Sequence, residues 1–185
     1  PASVSVLRST GIVAHALDIE KDEYPFPTES LDVIISNQVL EHTKEIFWIF
    51  DQISRSLKVG GYLILGVPNL ASFHNRLLLL AGQQPTCIKS SSAHIRGFTK
   101  QDVLRFTEDC FPGGFELHSF AGSNFYPFPK LLAMPLAKLM PSAAWAIFFL
   151  LKKVKPYKHS FVEFPIKENL ETNFFVGHGS TQSLR

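Results

Sequence analysis

Residues 26–69 read FPTESLDVIISNQVLEHTKEIFWIFDQISRSLKVGGYLILGVPN, and the order of patterns in this stretch decides the fold class. Leu31–Asn37 is a β-branched run that is apolar on both faces, which is typical of a central strand in a parallel sheet. Apolar residues then recur with helical spacing over residues 43–57, and residues 62–67 predict another strand. Strand, helix and strand in this order favour an α/β fold with a mainly parallel sheet.

The same alternation continues on both sides of this stretch. Residues 11–19 (GIVAHALDI) predict a buried strand that ends at Asp18. Thr99 and Asp102 resemble a capping box, so a helix is predicted from there to about Cys110. Residues 115–120 and 173–176 predict two further strands, and residues 177–185 predict a mobile tail.

The composition predicts one globular domain. The chain has 185 residues, 45% of them hydrophobic, and a net charge of +2, which excludes a wholly disordered chain. The two cysteines, Cys87 and Cys110, lack the spacing of a metal site and predict a reducing, cytoplasmic compartment. We expect no nucleic-acid partner.

The charge is unevenly distributed, and the basic part adjoins a very apolar run. Residues 1–59 carry nine acidic and five basic residues, whereas residues 130–167 carry seven lysines and one acid. Residues 131–151 are too interrupted for a membrane span and predict an apolar helix inside a helical insertion at 121–171. This helix is either a buried cap over the domain or, through residues 128–158, a peripheral membrane contact.

Five short motifs in a fixed order carry a resemblance to a known family: Asp18, Phe26-Pro27, Ser30-Leu31-Asp32, Leu40-Glu41-His42, and residues 57–61 (LKVGG). Together they resemble the class I S-adenosylmethionine-dependent methyltransferases, and most of all the group that includes ubiquinone-biosynthesis-type O-methyltransferases. The resemblance covers residues 10–125. It implies a Rossmann-like sheet, S-adenosylmethionine as the cofactor, and methyl transfer to a small or lipid-like acceptor.

The resemblance implies a cofactor site at the ends of two predicted strands. In an open α/β sheet, ligands bind outside the carboxyl ends of the strands. Asp18 and Ile19 would contact the adenine, and Asn37, Gln38 and Val39 would line the methyl donor. A strand-end aspartate is also a common turn residue, and residues 37–39 also fit an ordinary loop.

The resemblance also implies where the chemistry takes place. His42, with Glu41, is the candidate acid–base group, because an imidazole titrates near neutral pH. His94, Arg96 and Tyr126 are candidate substrate contacts, and the alternative for His94 and Arg96 is a solvated loop without a role in binding. Some quinone-precursor methyltransferases have Glu-x-x-Glu-His in this loop, which resembles a metal site. Here Gln38 takes the first position, and an amide is a poorer ligand for a hard cation than a carboxylate, so we predict no metal.

The sequence departs from the family at its beginning. It lacks the Asp-x-Gly-x-Gly loop after the first strand and the acidic residue after the second. Residues 3–10 resemble the helix before the third strand. The family order 3-2-1-4-5-7-6 would therefore lack strands 1 and 2, and we expect a fragment with a single partial methyltransferase domain. The alternative is a non-catalytic Rossmann-like module that binds a membrane surface or a protein partner.

Overall fold

The computed structural model describes residues 2–170 and 173–177, which form an α/β fold around one four-stranded sheet. The strands are β1 (Leu31–Asn37), β2 (Leu57–Pro68), β3 (Phe115–Ser123) and β4 (Ala146–Lys153). The α-helices are α1 (Ala2–Ser9), α2 (Ile46–Ser56), α3 (Phe73–Leu80), α4 (Lys100–Cys110), α5 (Lys130–Leu139) and α6 (Ser160–Lys167). Short 3₁₀ turns occupy Leu40–His42, Thr86–Ile88 and Pro141–Ala143.

The sheet is mixed, with the strand order β1-β2-β4-β3. β1 pairs with β2 in parallel, whereas β4 runs antiparallel to both β2 and β3. The expectation of a mainly parallel sheet is therefore wrong, because β4 lies between two strands that run in the opposite direction. The order matches the 4-5-7-6 part of the strand order that the resemblance implies.

The helices that were predicted beside the sheet are present, with adjusted ends. α4 begins where the capping box predicts, since the Thr99 side chain accepts a hydrogen bond from the Asp102 amide. α2 begins at Ile46 instead of residue 43, and just before it the Glu20 carboxylate accepts hydrogen bonds from the amides of Lys44 and Glu45. α2 and α6 pack on one face of the sheet and enclose the main apolar core.

The strand predicted over residues 11–19 is wrong. Residues 12–18 have no regular secondary structure, no strand of the described chain pairs with them, and Val13 is 81% exposed. A single extended segment without a hydrogen-bonded neighbour does not form a sheet. Among the described residues, β1 is consequently an edge strand, and its Ile35 side chain is 67% exposed.

The apolar helix predicted over residues 131–151 is wrong in its second part: α5 covers Lys130–Leu139, but residues 146–151 belong to strand β4. Its side chains alternate between half-buried and buried, with Ile147, Phe149 and Leu151 in the core. Aromatic and β-branched residues suit a pleated surface, and here pairing with β2 and β3 decides the structure. The segment 121–171 does contain two helices, α5 and α6, on either side of this strand.

The strand predicted over residues 173–176 is wrong as well. The described segment 173–177 runs along α2: the Lys44 ammonium donates to the Asn173 carbonyl, and Phe174 packs edge-on against Phe47. Its Phe175 amide donates to the Glu45 carboxylate at 2.6 Å. Beyond residue 177, the mobile tail predicted over 177–185 lies outside the described residues.

None of the helices within 2–170 and 173–177 is long and apolar enough to cross a bilayer.

Candidate functional site

The carboxyl end of β1 makes a polar, strained turn. Gln38 has a φ of 55°, in the left-handed region that non-glycine residues rarely adopt, and its amide donates to the Gly66 carbonyl at 2.9 Å. Such conformations cost about 1–3 kcal/mol and concentrate at functional sites. Nothing in the sequence signals this strain, because glutamine is not a typical left-handed residue.

Gly66 on β2 makes room for the side chain of Asn37. The two residues are partners in the parallel register, and a Cβ atom at position 66 would collide with the Asn37 Oδ1 atom. It would also lie 2.7 Å from the ring of Phe148 on β4. Because Gly66 has no side chain, the Asn37 amide can occupy this space at the rim of the sheet.

The Asp18 carboxylate is part of a turn. Its Oδ1 atom accepts the Glu20 amide hydrogen bond at 3.0 Å, and its Oδ2 atom lies 3.8 Å from the Lys21 ammonium. Its side chain is half exposed. The adenine contact stays a prediction, and the turn geometry that was its alternative is present.

Two of the predicted cofactor residues, Ile19 and Val39, line one groove. The groove has a volume of about 390 Å³, is mainly apolar, and lies between the segment 15–26, strand β1 and helix α2. Ser36 also lines it, at the carboxyl end of β1. The structure thus brings together residues separated by twenty positions in the sequence, although the strand expected at 11–19 is absent.

Glu41, His42 and His94 form a compact cluster just beyond this rim. One potential ligand atom from each residue lies within 4.8 Å of those of the other two. The two imidazole rings meet edge to face, with their centroids 4.6 Å apart. The 3₁₀ turn Leu40–His42 is tied to the loop that carries His94, because the Glu41 carbonyl accepts the Ile95 amide hydrogen bond at 2.8 Å.

The Glu41 side chain is buried without a partner. The residue is 1% exposed, and neither carboxylate oxygen has a hydrogen-bond partner. A buried polar group without a hydrogen bond costs free energy, so native proteins rarely keep one without a compensating interaction. The sequence predicted Glu41 and His42 as neighbours, but only the fold adds His94.

Arg96 and Tyr126 contact different parts of the structure. The Arg96 guanidinium donates to the carbonyls of Thr43 and Lys44, so it holds the loop before α2. Tyr126 is 54% exposed, and its ring packs against His74 and Trp145 near α3. Substrate contact by His94, Arg96 and Tyr126 stays a prediction.

Sequence reasoning missed a polar network on the far side of α2. The buried Asp51 carboxylate accepts a 2.8 Å hydrogen bond from the Tyr157 hydroxyl and lies 3.7 Å from the His159 imidazole. Burial raises the pKa of Asp51 to about 6 and, together with the neighbouring Asp51 charge, raises the pKa of Tyr157. The only sign of this network in the sequence is Asp51, a single aspartate within an otherwise apolar helix pattern.

Residues 4–65 match the family described as "Methyltransferase domain". This matched stretch contains Asp18, the strained turn after β1 and the Glu41-His42 pair. No curated protein sequence is significantly similar to the chain.

Solved structures of methyltransferases share the architecture. A Thermotoga maritima S-adenosylmethionine-dependent methyltransferase, described as a possible histamine N-methyltransferase, superimposes with a TM-score of 0.56 at 19% identity, over 81% of this chain and 68% of that chain. A Mesorhizobium loti S-adenosylmethionine-dependent methyltransferase gives a TM-score of 0.50 at 15% identity, over 81% and 75%. The chain has a class I methyltransferase fold. At 19% and 15% identity, these structures show the fold of the chain and not its activity.

A third similar structure limits what the fold implies. The [4+2]-cyclase SpnF gives a TM-score of 0.53 at 16% identity, over 82% of this chain and 62% of that chain. One methyltransferase fold therefore accompanies more than one reaction, and function must be argued from the site. The resemblance to class I methyltransferases is confirmed, while the ubiquinone-type specificity stays a prediction.

Proposed function

We propose that the protein transfers the methyl group of S-adenosylmethionine to a small or lipid-like acceptor. The observation that carries this proposal is the strained polar turn at the carboxyl end of β1, which lies inside the stretch matched to the methyltransferase family. Ligands of open α/β sheets bind at this edge. Nothing in the fold or in the comparisons favours the non-catalytic binding module.

In this proposal the groove lined by Ile19 and Val39 receives the adenosyl part of the cofactor. Its apolar walls suit the flat faces of an adenine ring, and Asp18 directly precedes Ile19 in the chain. The Asn37 and Gln38 amides would face the sulfonium end. The acidic excess of residues 1–59 complements the positive charge of the methyl donor.

The cluster beyond the rim is proposed to receive the acceptor. The Nδ1 atom of His42 lies 3.3 Å from the Ala93 carbonyl, so an Nδ1–H tautomer leaves the Nε2 lone pair free. Nε2 would take the proton from an acceptor hydroxyl as its oxygen attacks the methyl carbon. The carbon–sulfur bond then breaks, and S-adenosylhomocysteine leaves with the bond's electron pair.

An incorporation assay tests the methyl-transfer proposal. Protein is incubated with methyl-labelled S-adenosylmethionine and, separately, with total lipid extract or with polar small-molecule extract. We expect label in a protein-dependent product, a loss of at least about tenfold in His42→Ala, and no loss in the exposed-residue control His118→Ala. Label transfer that is equal in His42→Ala and wild type contradicts the base role, and no transfer into either extract contradicts the proposal.

We also propose that α5 contacts an anionic bilayer and so brings the protein to a lipid-like acceptor. This helix buries its small residues, Ala133 and Ala137, and exposes its large apolar ones, with Leu131 at 86% and Leu139 at 78%. A helix of a water-exposed surface normally has the reverse arrangement. Two lysines, Lys130 and Lys138, lie on the same helix and complement anionic headgroups.

Vesicle sedimentation tests the bilayer contact. Wild-type protein should sediment with vesicles that contain phosphatidylserine, and added salt should weaken the association. Changing both Leu131 and Leu139 to Ser should abolish sedimentation, whereas the control Val13→Ser, which alters a comparably exposed apolar side chain outside α5, should not. Equal sedimentation of the helix variant and wild type would contradict this contact.

A further inference from the structure

We propose that Glu41, His42 and His94 bind a divalent transition-metal ion, with Zn²⁺ as the best fit. This site is opposite to the expectation from sequence, where Gln38 in place of a glutamate argued against a metal. The argument rests only on the geometry of these three residues and on their surroundings. It does not depend on the methyl-transfer proposal.

The first observation is the donor set and its spacing. Potential ligand atoms of the three residues all lie within 4.8 Å of one another. Zinc bonds of about 2.0–2.2 Å in tetrahedral geometry place the ligand atoms about 3.3 Å apart, so a modest contraction completes the site. His42 belongs to a 3₁₀ turn, and His94 belongs to a loop outside helices and strands, so neither is held by a long regular element.

The second observation is independent and concerns the buried carboxylate. Glu41 is 1% exposed, both of its oxygens lack a hydrogen-bond partner, and one of them lies within 4.8 Å of a nitrogen of each imidazole. No lysine or arginine of the described residues forms an ion pair with it. A metal ion would compensate a negative charge that otherwise stands buried and unpaired.

The third observation concerns the two imidazoles. His42 Nδ1 lies 3.3 Å from the Ala93 carbonyl, and His94 Nδ1 lies 2.8 Å from the Cys87 carbonyl. A carbonyl oxygen only accepts, so each Nδ1 must carry the proton, and each Nε2 then presents a lone pair. Metal-bound histidines usually have this arrangement, in which a hydrogen bond on the other ring nitrogen fixes the tautomer.

The donors also indicate which class of ion would bind. Two imidazoles and one carboxylate suit Zn²⁺ and its first-row neighbours, whereas Mg²⁺ and Ca²⁺ prefer oxygen ligands. Three protein ligands leave at least one coordination position open. That is the pattern of catalytic zinc sites and not of closed structural ones. Because a bound ion would occupy the lone pair of His42, His42 would serve as the base only in the metal-free protein. In the zinc-loaded protein the open position could bind the acceptor hydroxyl instead.

Metal titration of the untagged, chelator-treated protein without S-adenosylmethionine tests the proposal. Zn²⁺ is titrated in competition with a chromophoric chelator, Co²⁺ binding is followed by visible absorption, and Mg²⁺ serves as the oxygen-preferring comparison. We expect one equivalent of Zn²⁺ and no competing Mg²⁺ binding. His42→Gln and His94→Gln should each weaken Zn²⁺ binding by at least about 100-fold, and His118→Gln, outside the cluster, should change nothing.

Two further measurements keep the test decisive. Glu41→Gln keeps the side-chain volume and should also weaken Zn²⁺ binding, while circular dichroism checks its fold. Because His42 is exposed, the His42→Gln variant should remain folded even if Glu41→Gln does not. Imidazole nitrogen spectra should show Zn²⁺-dependent shifts at Nε2 of both histidines. Zn²⁺ binding that is equal in wild type and His42→Gln, or the absence of stoichiometric binding to wild type, would overturn the site.

Discussion

Replacing Lys153 tests how the turn before β1 is held against the end of α2 and the start of β2. Its ammonium group is fully buried and donates to the Glu29 carboxylate at 3.0 Å and to the carbonyls of Ser54 and Leu57 at 2.7 and 2.8 Å. These acceptors belong to the turn before β1, the end of α2 and the start of β2. Lys153→Met keeps most of the side-chain volume and removes all three hydrogen bonds.

The expected cost follows from what the substitution leaves unpaired. Removing one partner of a buried ion pair costs about 3–5 kcal/mol, and the one-third exposure of the Glu29 side chain places this case near about 3 kcal/mol. The hydrogen bond from Lys153 lowers the pKa of Glu29. The stability contributed by this pair is therefore present above the unfolded pKa of a glutamate and falls as the pH drops through the lowered value.

Urea unfolding at neutral pH measures this cost, with Lys152→Met as the matched control. Lys152 is half-buried on the same strand, and its replacement should change the free energy of unfolding by about 0.5 kcal/mol or less. A cost below about 1 kcal/mol for Lys153→Met, or one equal to that of Lys152→Met, would refute the reasoning. The result also concerns the lysine-rich part of the sequence, residues 130–167, since a buried Lys153 cannot contact a membrane surface.

Two further predictions concern α2 and the rim. Burial raises the pKa of Asp51 to about 6, so the stability that this group contributes is full below its unfolded pKa and is lost, by about 3 kcal/mol, as the pH rises to 6. Asp51→Asn should remove this loss, which unfolding curves at pH 4 and pH 8 measure. An unchanged pH profile would contradict this prediction. In Gly66→Ala the new methyl group would collide with both the Asn37 side chain and the Phe148 ring, which should cost about 1–3 kcal/mol and, by displacing Asn37, weaken S-adenosylmethionine binding. Unchanged affinity in calorimetry would show that Asn37 is not part of the cofactor site.

The sequence predicted well where local patterns and tertiary structure agree. β1 matches its predicted bounds, β2 forms around the predicted core of residues 62–67, and α4 begins at the Thr99 cap. Each of these segments carries its own start or stop signal. The motif order in this region also led to the methyltransferase resemblance that the fold confirms.

The failures come from segments whose structure depends on distant partners. Residues 146–151 are apolar enough to fit either a buried helix or a buried strand. Pairing with β2 and β3 makes them part of β4. Residues 12–18 have strand-like composition, but the described chain gives them no neighbour to pair with. His94 joins Glu41 and His42 through a contact across more than fifty positions, which spacing cannot reveal.

Chemical-shift mapping of S-adenosylmethionine binding tests the central claim most directly. The cofactor is titrated into the isotope-labelled 185-residue protein while backbone amide resonances are recorded, which detects weak as well as tight binding. The account predicts saturable shifts at Ile19, Asn37, Gln38 and Val39, and smaller shifts in Asn37→Ala. The absence of shifts at these residues up to millimolar cofactor, or shifts confined to the far side of α2 around Tyr157, would contradict it.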